Sequence, residues 1–185
     1  TYIKRCFNMQ KITVKDLMVP LDEYATVRDD ASLYEAVKAL EKAQKDFNRG
    51  RYLYLHRAIL VYDKNKKIIG KISQFDVLKA LEPKYRDMGD FSAISRAGLS
   101  VEFIKSIMDR YDLYQRSFTE TCMTASDLRV KDIMYTPGSD EYVEENDFLG
   151  NAIHHLVMGH HQSLLVTRGK DIVGILRLTD VLNEV

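Results

Sequence analysis

Read for apolar spacing alone, the chain runs twice through one order of segments. Leu33, Val37 and Leu40 recur at three- and four-residue intervals, as do Leu149, Ile153 and Leu156, and each set predicts an amphipathic helix. Asp30 or Ser32 offers an N-cap to the first, and Asn146 or Asp147 to the second. Each helix follows a turn, at Pro20 or Pro137-Gly138, and a short extended stretch, Tyr24 to Val27 or Glu141 to Val143. Behind the helices, Ala58 to Tyr62 and Ser163 to Val166 are too short for helices and suit buried strands. Polar turns, Asp63-Lys64-Asn65-Lys66 and Thr167-Arg168-Gly169-Lys170, then lead to Ile68 to Ile72 and Ile172 to Leu176, so each pair of runs reads as a hairpin. A closing helix begins near Ser73 or Leu178.

The repetition extends to residue identity. Val14-Lys15-Asp16-Leu17-Met18 returns as Val130-Lys131-Asp132-Ile133-Met134, 116 positions later. Gly70 to Leu78 (GKISQFDVL) returns as Gly174 to Leu182 (GILRLTDVL), 104 positions later. The difference is an extra dozen residues in copy one, around Gln44 to Leu55. Two matches in the same order mark a duplicated unit. Neither copy is large enough to bury a comfortable core alone, and two copies packed together solve that problem. The expected organisation is residues 1–11 as an N-terminal extension, 12–82 as repeat one, 83–126 as a helical insertion and 127–185 as repeat two, in an α/β (α+β) fold of β-α-β-β-α units. Within the insertion, Ser100 caps an expected helix carrying Ile104, Ile107, Met108, Tyr111, Tyr114 and Phe118, and Asp90 to Arg96 form a shorter one before it.

Composition narrows the function classes. Of 185 residues, 27 are Lys or Arg and 27 Asp or Glu, which removes the bulk positive charge that non-specific nucleic-acid binding uses. Cys6 and Cys122 fit neither a disulfide framework nor a zinc knuckle, and no apolar run approaches the roughly 20 residues of a membrane span. The expectation is a cytoplasmic protein without nucleic-acid or membrane partners, with Met9 a possible natural start after an eight-residue extension.

The repeated motifs resemble a tandem pair of CBS domains, the module named after cystathionine β-synthase. The resemblance rests on Val14 to Met18, Thr26-Val27 before a helix, Leu60-Val61-Tyr62-Asp63, and Gly70-x-x-Ser73-x-x-Asp76-Val77-Leu78, with Val130 to Met134, Leu164-Leu165-Val166 and Gly174-x-x-Arg177-x-x-Asp180 in copy two. It implies a stand-alone regulatory module, dimeric by analogy, that senses AMP, ADP, ATP or S-adenosylmethionine in clefts between the repeats and requires no cofactor. It also implies an unidentified effector protein that reads the bound state. In this family the terminal Asp takes ribose hydroxyls and the Ser or Thr three residues earlier faces phosphate. A carboxylate accepts two hydroxyl hydrogen bonds, and a helix start offers free donors to anions.

Carried onto this chain, one site comprises Asp76, Ser73, Ile72 as a wall for the base, Arg57 as a phosphate ligand, Ala58, and Tyr142 from the other copy. The second comprises Asp180, Arg177, Leu176, His161 and Gln162, which are placed opposite Arg57 and Ala58, together with Thr26 and Ala25. Arg177 stands where the pattern has Ser or Thr, and either pairs with phosphate or fills the cleft. The Asp76 site is therefore the better candidate. The competing readings are helix-terminal charges for Asp76 and Asp180, a cap for Ser73, and surface ion pairs for the arginines.

His154, His155, His160 and His161 are expected to be a polar helix end rather than a metal site, with Gly159 ending the helix. The run Asp140, Glu141, Glu144, Glu145 and Asp147 is expected to be a solvated loop. No nucleophile, phosphate-loop or metalloprotease motif is present, so no catalysis is expected. The alternatives from other classes are a ligand-free interaction or dimerisation scaffold and, remotely, a metal-dependent hydrolase.

Overall fold

Both predicted hairpins form, and each acquires a parallel third strand from the extended stretch before its helix. The structure is a computed structural model and describes residues 11–47, 50–86, 98, 100–113 and 115–184. In copy one, β2 (Thr26–Arg28) pairs in parallel with β3 (Ala58–Tyr62), which pairs antiparallel with β4 (Ile68–Ser73). In copy two, β5 (Tyr142–Glu144) pairs in parallel with β6 (Ser163–Arg168), itself antiparallel to β7 (Asp171–Arg177). The helices are α1 (Val14–Leu17), α2 (Leu33–Lys45), α3 (Gln74–Leu81), α4 (Val101–Arg110), α5 (Phe118–Ser126), α6 (Val130–Ile133), α7 (Leu149–Gly159) and α8 (Leu178–Glu184).

The copies are interlocked by an exchange of their opening segments. Val14 is fully buried among copy-two residues, including Leu149, Leu164, Val166 and Leu176, whereas Val130 is buried among Val27, Ile59, Val61 and Ile72 of copy one. The backbone repeats the exchange: Val14 and Lys15 donate to the carbonyls of Asp147 and Glu145, and Val130 and Lys131 to those of Ala31 and Asp29, all at 2.8–2.9 Å. Strand β1 (Val19–Pro20) adds to β7 with Val19 opposite Ile175, and Tyr135 bridges to Lys71 of β4. These crossings explain the glycine shared by both motifs. A Cβ on Gly174 would lie 2.5 Å from the Val19 carbonyl oxygen, and one on Gly70 would meet the flexible Met134 sulfur at 2.6 Å and the Tyr135 carbonyl at 3.1 Å. Between the sheets, Val19, Leu60, Ile68, Leu165 and Ile175 share one apolar cluster.

Several local expectations need correction. Ser32 caps α2, in a reciprocal box with Glu35. Neither Asn146 nor Asp147 caps α7; its N-cap is Phe148, and the Leu149 amide is satisfied by the Ile12 carbonyl of the exchanged segment. The insertion is not one helix through Phe118. Ser100 caps α4, but Asp112 turns left-handed at φ 49° and Ser117 caps a separate α5. Ala125 of α5 packs with Leu33 and Ala80 of copy one. Cys6, the Asp90 to Arg96 segment and Tyr114 lie outside the described residues.

Candidate functional site

The junction of β4 with α3 fixes the first candidate residues. Ser73 ends the strand and caps the helix: its hydroxyl accepts from the Asp76 amide at 3.2 Å, while Asp76 Oδ2 accepts from the Ser73 amide at 2.8 Å and hydroxyl at 2.6 Å. The capping reading of both residues is therefore satisfied, yet Asp76 Oδ1 accepts no bond among the described residues. Both line a cavity of about 420 Å³ that also takes in Arg57 and Ala58 from copy one and His161, Gln162 and Arg177 from copy two. Arg57 is exposed, and its guanidinium forms no ion pair among the described residues.

The remaining candidates do not line this cavity. Ile72 and Leu176 are fully buried in the copy-one and copy-two cores, because strand alternation turns them away from the face that carries Ser73 and Arg177. Ala25 is buried beside Ile72, Thr26 is half-buried in β2, and Tyr142 packs against the central cluster. Their neighbours Tyr24 and Glu141 reach the cavity instead, and Leu55 and Phe75 supply apolar lining. Strand register also moves one equivalence by a residue. Ala58 and Ser163 hold the same place opposite Ser73 and Arg177, so Gln162 corresponds to Arg57 and His161 to His56. The cause is the hairpin itself, since Ser163 to Arg177 is one residue shorter than Ala58 to Ser73.

A charged cluster forms the copy-two wall. Glu141 is 1% exposed and ion-pairs with Lys71 of copy one. It also accepts from the Gly138 amide at 3.2 Å and from the Tyr135 hydroxyl. Burial alone would push the Glu141 carboxyl up, but the bonds from Lys71, Tyr135 and Gly138 outweigh it and hold it below its ordinary range. His161 Nε2 sits 2.9 Å from Asp140 Oδ2, and His155 Nδ1 2.9 Å from the Asp140 carbonyl. Glu145, 8% exposed, receives a two-pronged bond from Arg168 at 2.6 and 2.8 Å. Glu144 accepts from the Thr167 hydroxyl at 3.0 Å, so the acidic run is no solvated loop: four of its carboxylates have fixed partners. Among the described residues no three His, Cys, Asp or Glu side chains converge as metal ligands, and His160, left-handed at φ 53°, ends α7. Sequence reasoning passes over Lys71 and takes Glu141 only as a member of the acidic run. A signal existed for Lys71, which stands two residues before Ser73 and so on the same strand face.

Across the pseudo-twofold relation, Asp180 is in a different state from Asp76. Arg177 Nε and Nη2 grip its two carboxylate oxygens at 2.5 and 2.6 Å, while Nη1 donates to the Tyr54 carbonyl at 2.8 Å and lies 3.2 Å from His56 Nδ1. The guanidinium lies 5.4 Å from the centre of the Tyr52 ring, and Arg177 is 5% exposed. His56 is packed by Tyr24 and Phe47, with ring centres at 4.5 and 5.1 Å. Burial first, and the Arg177 charge second, lower its pKa to about 4, so it is neutral there and Nδ1 is free to accept.

Comparison with known proteins agrees with this architecture. The family model described as CBS domain matches residues 14–83 and 130–185. No curated protein matches the chain in sequence. Among solved structures, the CBS domain of a CBS-domain-containing membrane protein from Sphaerobacter thermophilus is 19% identical, with a TM-score of 0.64 over 100% of this chain and 94% of that one. The CBS domain of a bacterial CNNM/CorC family Mg2+ transporter, in complex with ATP, is 16% identical, with a TM-score of 0.60 over 98% and 92%. CBSX2 in complex with AMP is 20% identical, with a TM-score of 0.54 over 92% and 93%. At such identities the likeness concerns the fold. No helix among the described residues is long and apolar enough to cross a membrane.

Proposed function

The chain belongs to the CBS domain family as a tandem, regulatory pair, and from that premise we propose that it senses an adenine nucleotide or related adenosyl ligand in the half of its cleft that holds Asp76. The observation that carries this reading is the contrast between the two aspartates: Asp180 has both oxygens gripped by Arg177, whereas Asp76 lines the cavity with Oδ1 available. Oδ1 can accept a ribose hydroxyl. Arg57, beside the first amides of α3, supplies a two-pronged donor for phosphate. Two fold relatives hold AMP or ATP, which supports the ligand class.

Because the cavity is walled by both copies, ligand affinity depends on their relative placement, and that dependence is the regulatory coupling. No chemistry on the ligand is proposed. Leu78 and Leu182, equivalent positions on α3 and α8, are 60% and 67% exposed, and Phe75, one turn before Leu78, is 68% exposed. We assign this face to a homodimer of a cytoplasmic protein, with sedimentation as its check.

A thermal-shift series with AMP, ADP, ATP and S-adenosylmethionine tests the ligand. Saturation at a hundredfold above Kd contributes about 2.7 kcal/mol. For a chain of this size, at about 2–4 °C per kcal/mol, that is a rise of roughly 5–11 °C. Asp76→Ala is expected to abolish most of the rise. A flat response to all four ligands would favour the scaffold reading, and an undiminished rise in Asp76→Ala would remove Asp76 from the site.

A further inference from the structure

The extra dozen residues of copy one have a structural use that the duplication does not require. They carry Phe47, Tyr52 and Tyr54, which pack on His56 and Arg177 in the half of the cleft that belongs to Asp180. Gln44 anchors the stretch by donating to the His56 carbonyl at 2.7 Å. Tyr52 donates to Glu23 at 2.9 Å, and Arg51 binds the other oxygen of the same carboxylate at 2.6 Å. The Tyr54 carbonyl faces Arg177. Copy two has only a three-residue link, His160 to Gln162, at the corresponding place. Among the described residues, that link gives the Asp76 half no such cover.

We propose that the Asp180 half is a self-occupied site. The Arg177 guanidinium and the aromatic loop take the space that a nucleotide would use, so the module takes one nucleotide per chain rather than two. The bonding of Arg177 matches what an enclosed ligand receives. Its fork meets the carboxylate, its remaining donor meets a backbone carbonyl and a neutral imidazole nitrogen, and its face meets an aromatic ring. It is 5% exposed, and no buried side-chain donor or acceptor among the described residues lacks a partner. Arg177 also ties the copies together, because Asp180 belongs to copy two while Tyr54 and His56 belong to copy one. The closed half thus holds the repeats in place without ligand and leaves the Asp76 half to respond. This inference rests on the reading above only for the open half.

The test is a count of sites, by calorimetric titration of the whole chain with ATP and with AMP. Wild type is expected to bind one nucleotide, and Arg177→Ser, which restores the hydroxyl of the other copy, one more than wild type. Two sites in wild type, or the same count in both proteins, would overturn the proposal. No binding by wild type with one site in Arg177→Ser would uphold the self-occupied half and defeat the reading of the open one. Should Arg177→Ser fail to melt cooperatively, Arg177→Gln carries the same comparison, since it is too short to reach Tyr54 and has no fork.

Discussion

Replacing Lys71 by Ile should destabilise the protein severely, and adding Glu141→Ala should undo most of the damage. The Glu141 side chain is 2% exposed and that of Lys71 13%, so the pair is buried at the boundary between the copies. Removing Lys71 leaves a buried carboxylate with the Gly138 amide, the Tyr135 hydroxyl and His161 Nδ1 at 3.9 Å, and stranding one partner of a buried pair costs about 3–5 kcal/mol. For a chain of this size that is a fall in Tm of roughly 6–20 °C. Glu141→Ala alone should cost less, about 1–3 kcal/mol, because Lys71 can turn its ammonium into the open cleft. The double variant has a natural precedent. The equivalent positions in the other half of the pair are Ile175 and Ala25, both buried and apolar. It should therefore cost only about 1–2 kcal/mol, giving a coupling of roughly 4–5 kcal/mol at the middle of these ranges in a double-mutant cycle measured by urea unfolding. Additive single effects, with coupling under about 0.5 kcal/mol, would mean that Glu141 does not depend on Lys71. The pH dependence has a definite sign. Glu141 is held below its ordinary 4.5, so its contribution is fully present above that pH and is lost as pH falls through the lowered value. The coupling should be constant from pH 6 to 8 and shrink at pH 3.

Val14→Ala and Val130→Ala should each cost about 2 kcal/mol, with crossed footprints: hydrogen exchange should quicken in β6, β7 and α7 for the first and in β3 and α2 for the second. Footprints confined to the mutated copy would contradict the exchange. Gly174→Ala should destabilise more than Gly70→Ala in urea, because its Cβ meets a backbone oxygen at 2.5 Å rather than a movable methionine. Equal losses would remove that explanation. His56 is buried neutral with its pKa lowered from 6.5 to about 4, so the unfolded chain binds the extra proton first and stability falls as pH drops through that window. His56→Gln should flatten this slope in pH-dependent melts, and an unchanged slope would assign it elsewhere.

What could be read from the sequence was local or duplicated. The strands Ala58–Tyr62 and Ile68–Ser73 and their copies follow from short apolar runs around polar turns, and Ser73 with Asp76 from a capping spacing. The exchange of Val14 and Val130 was not legible, because each short helix carries the same pattern whichever copy it packs on. Phe148 as the α7 N-cap follows from that exchange, since the Ile12 carbonyl does what a capping side chain would have done. For Arg177 the residue pattern left phosphate pairing and cleft filling open. Choosing between them needed Tyr54 and His56, more than 100 positions away in sequence. From sequence the acidic run reads as solvated because its partners, Lys71 and Arg168, come from other strands.

If the cleft binds an adenine nucleotide against Asp76, amide chemical-shift mapping of the whole chain with AMP will show it. Shifts are predicted at Arg57, Ala58, Ser73 to Asp76 and His161 to Ser163, with Tyr52, Tyr54 and Asp180 unmoved. A spectrum unchanged at millimolar AMP, or shifts centred on Tyr54 and Asp180, would contradict it.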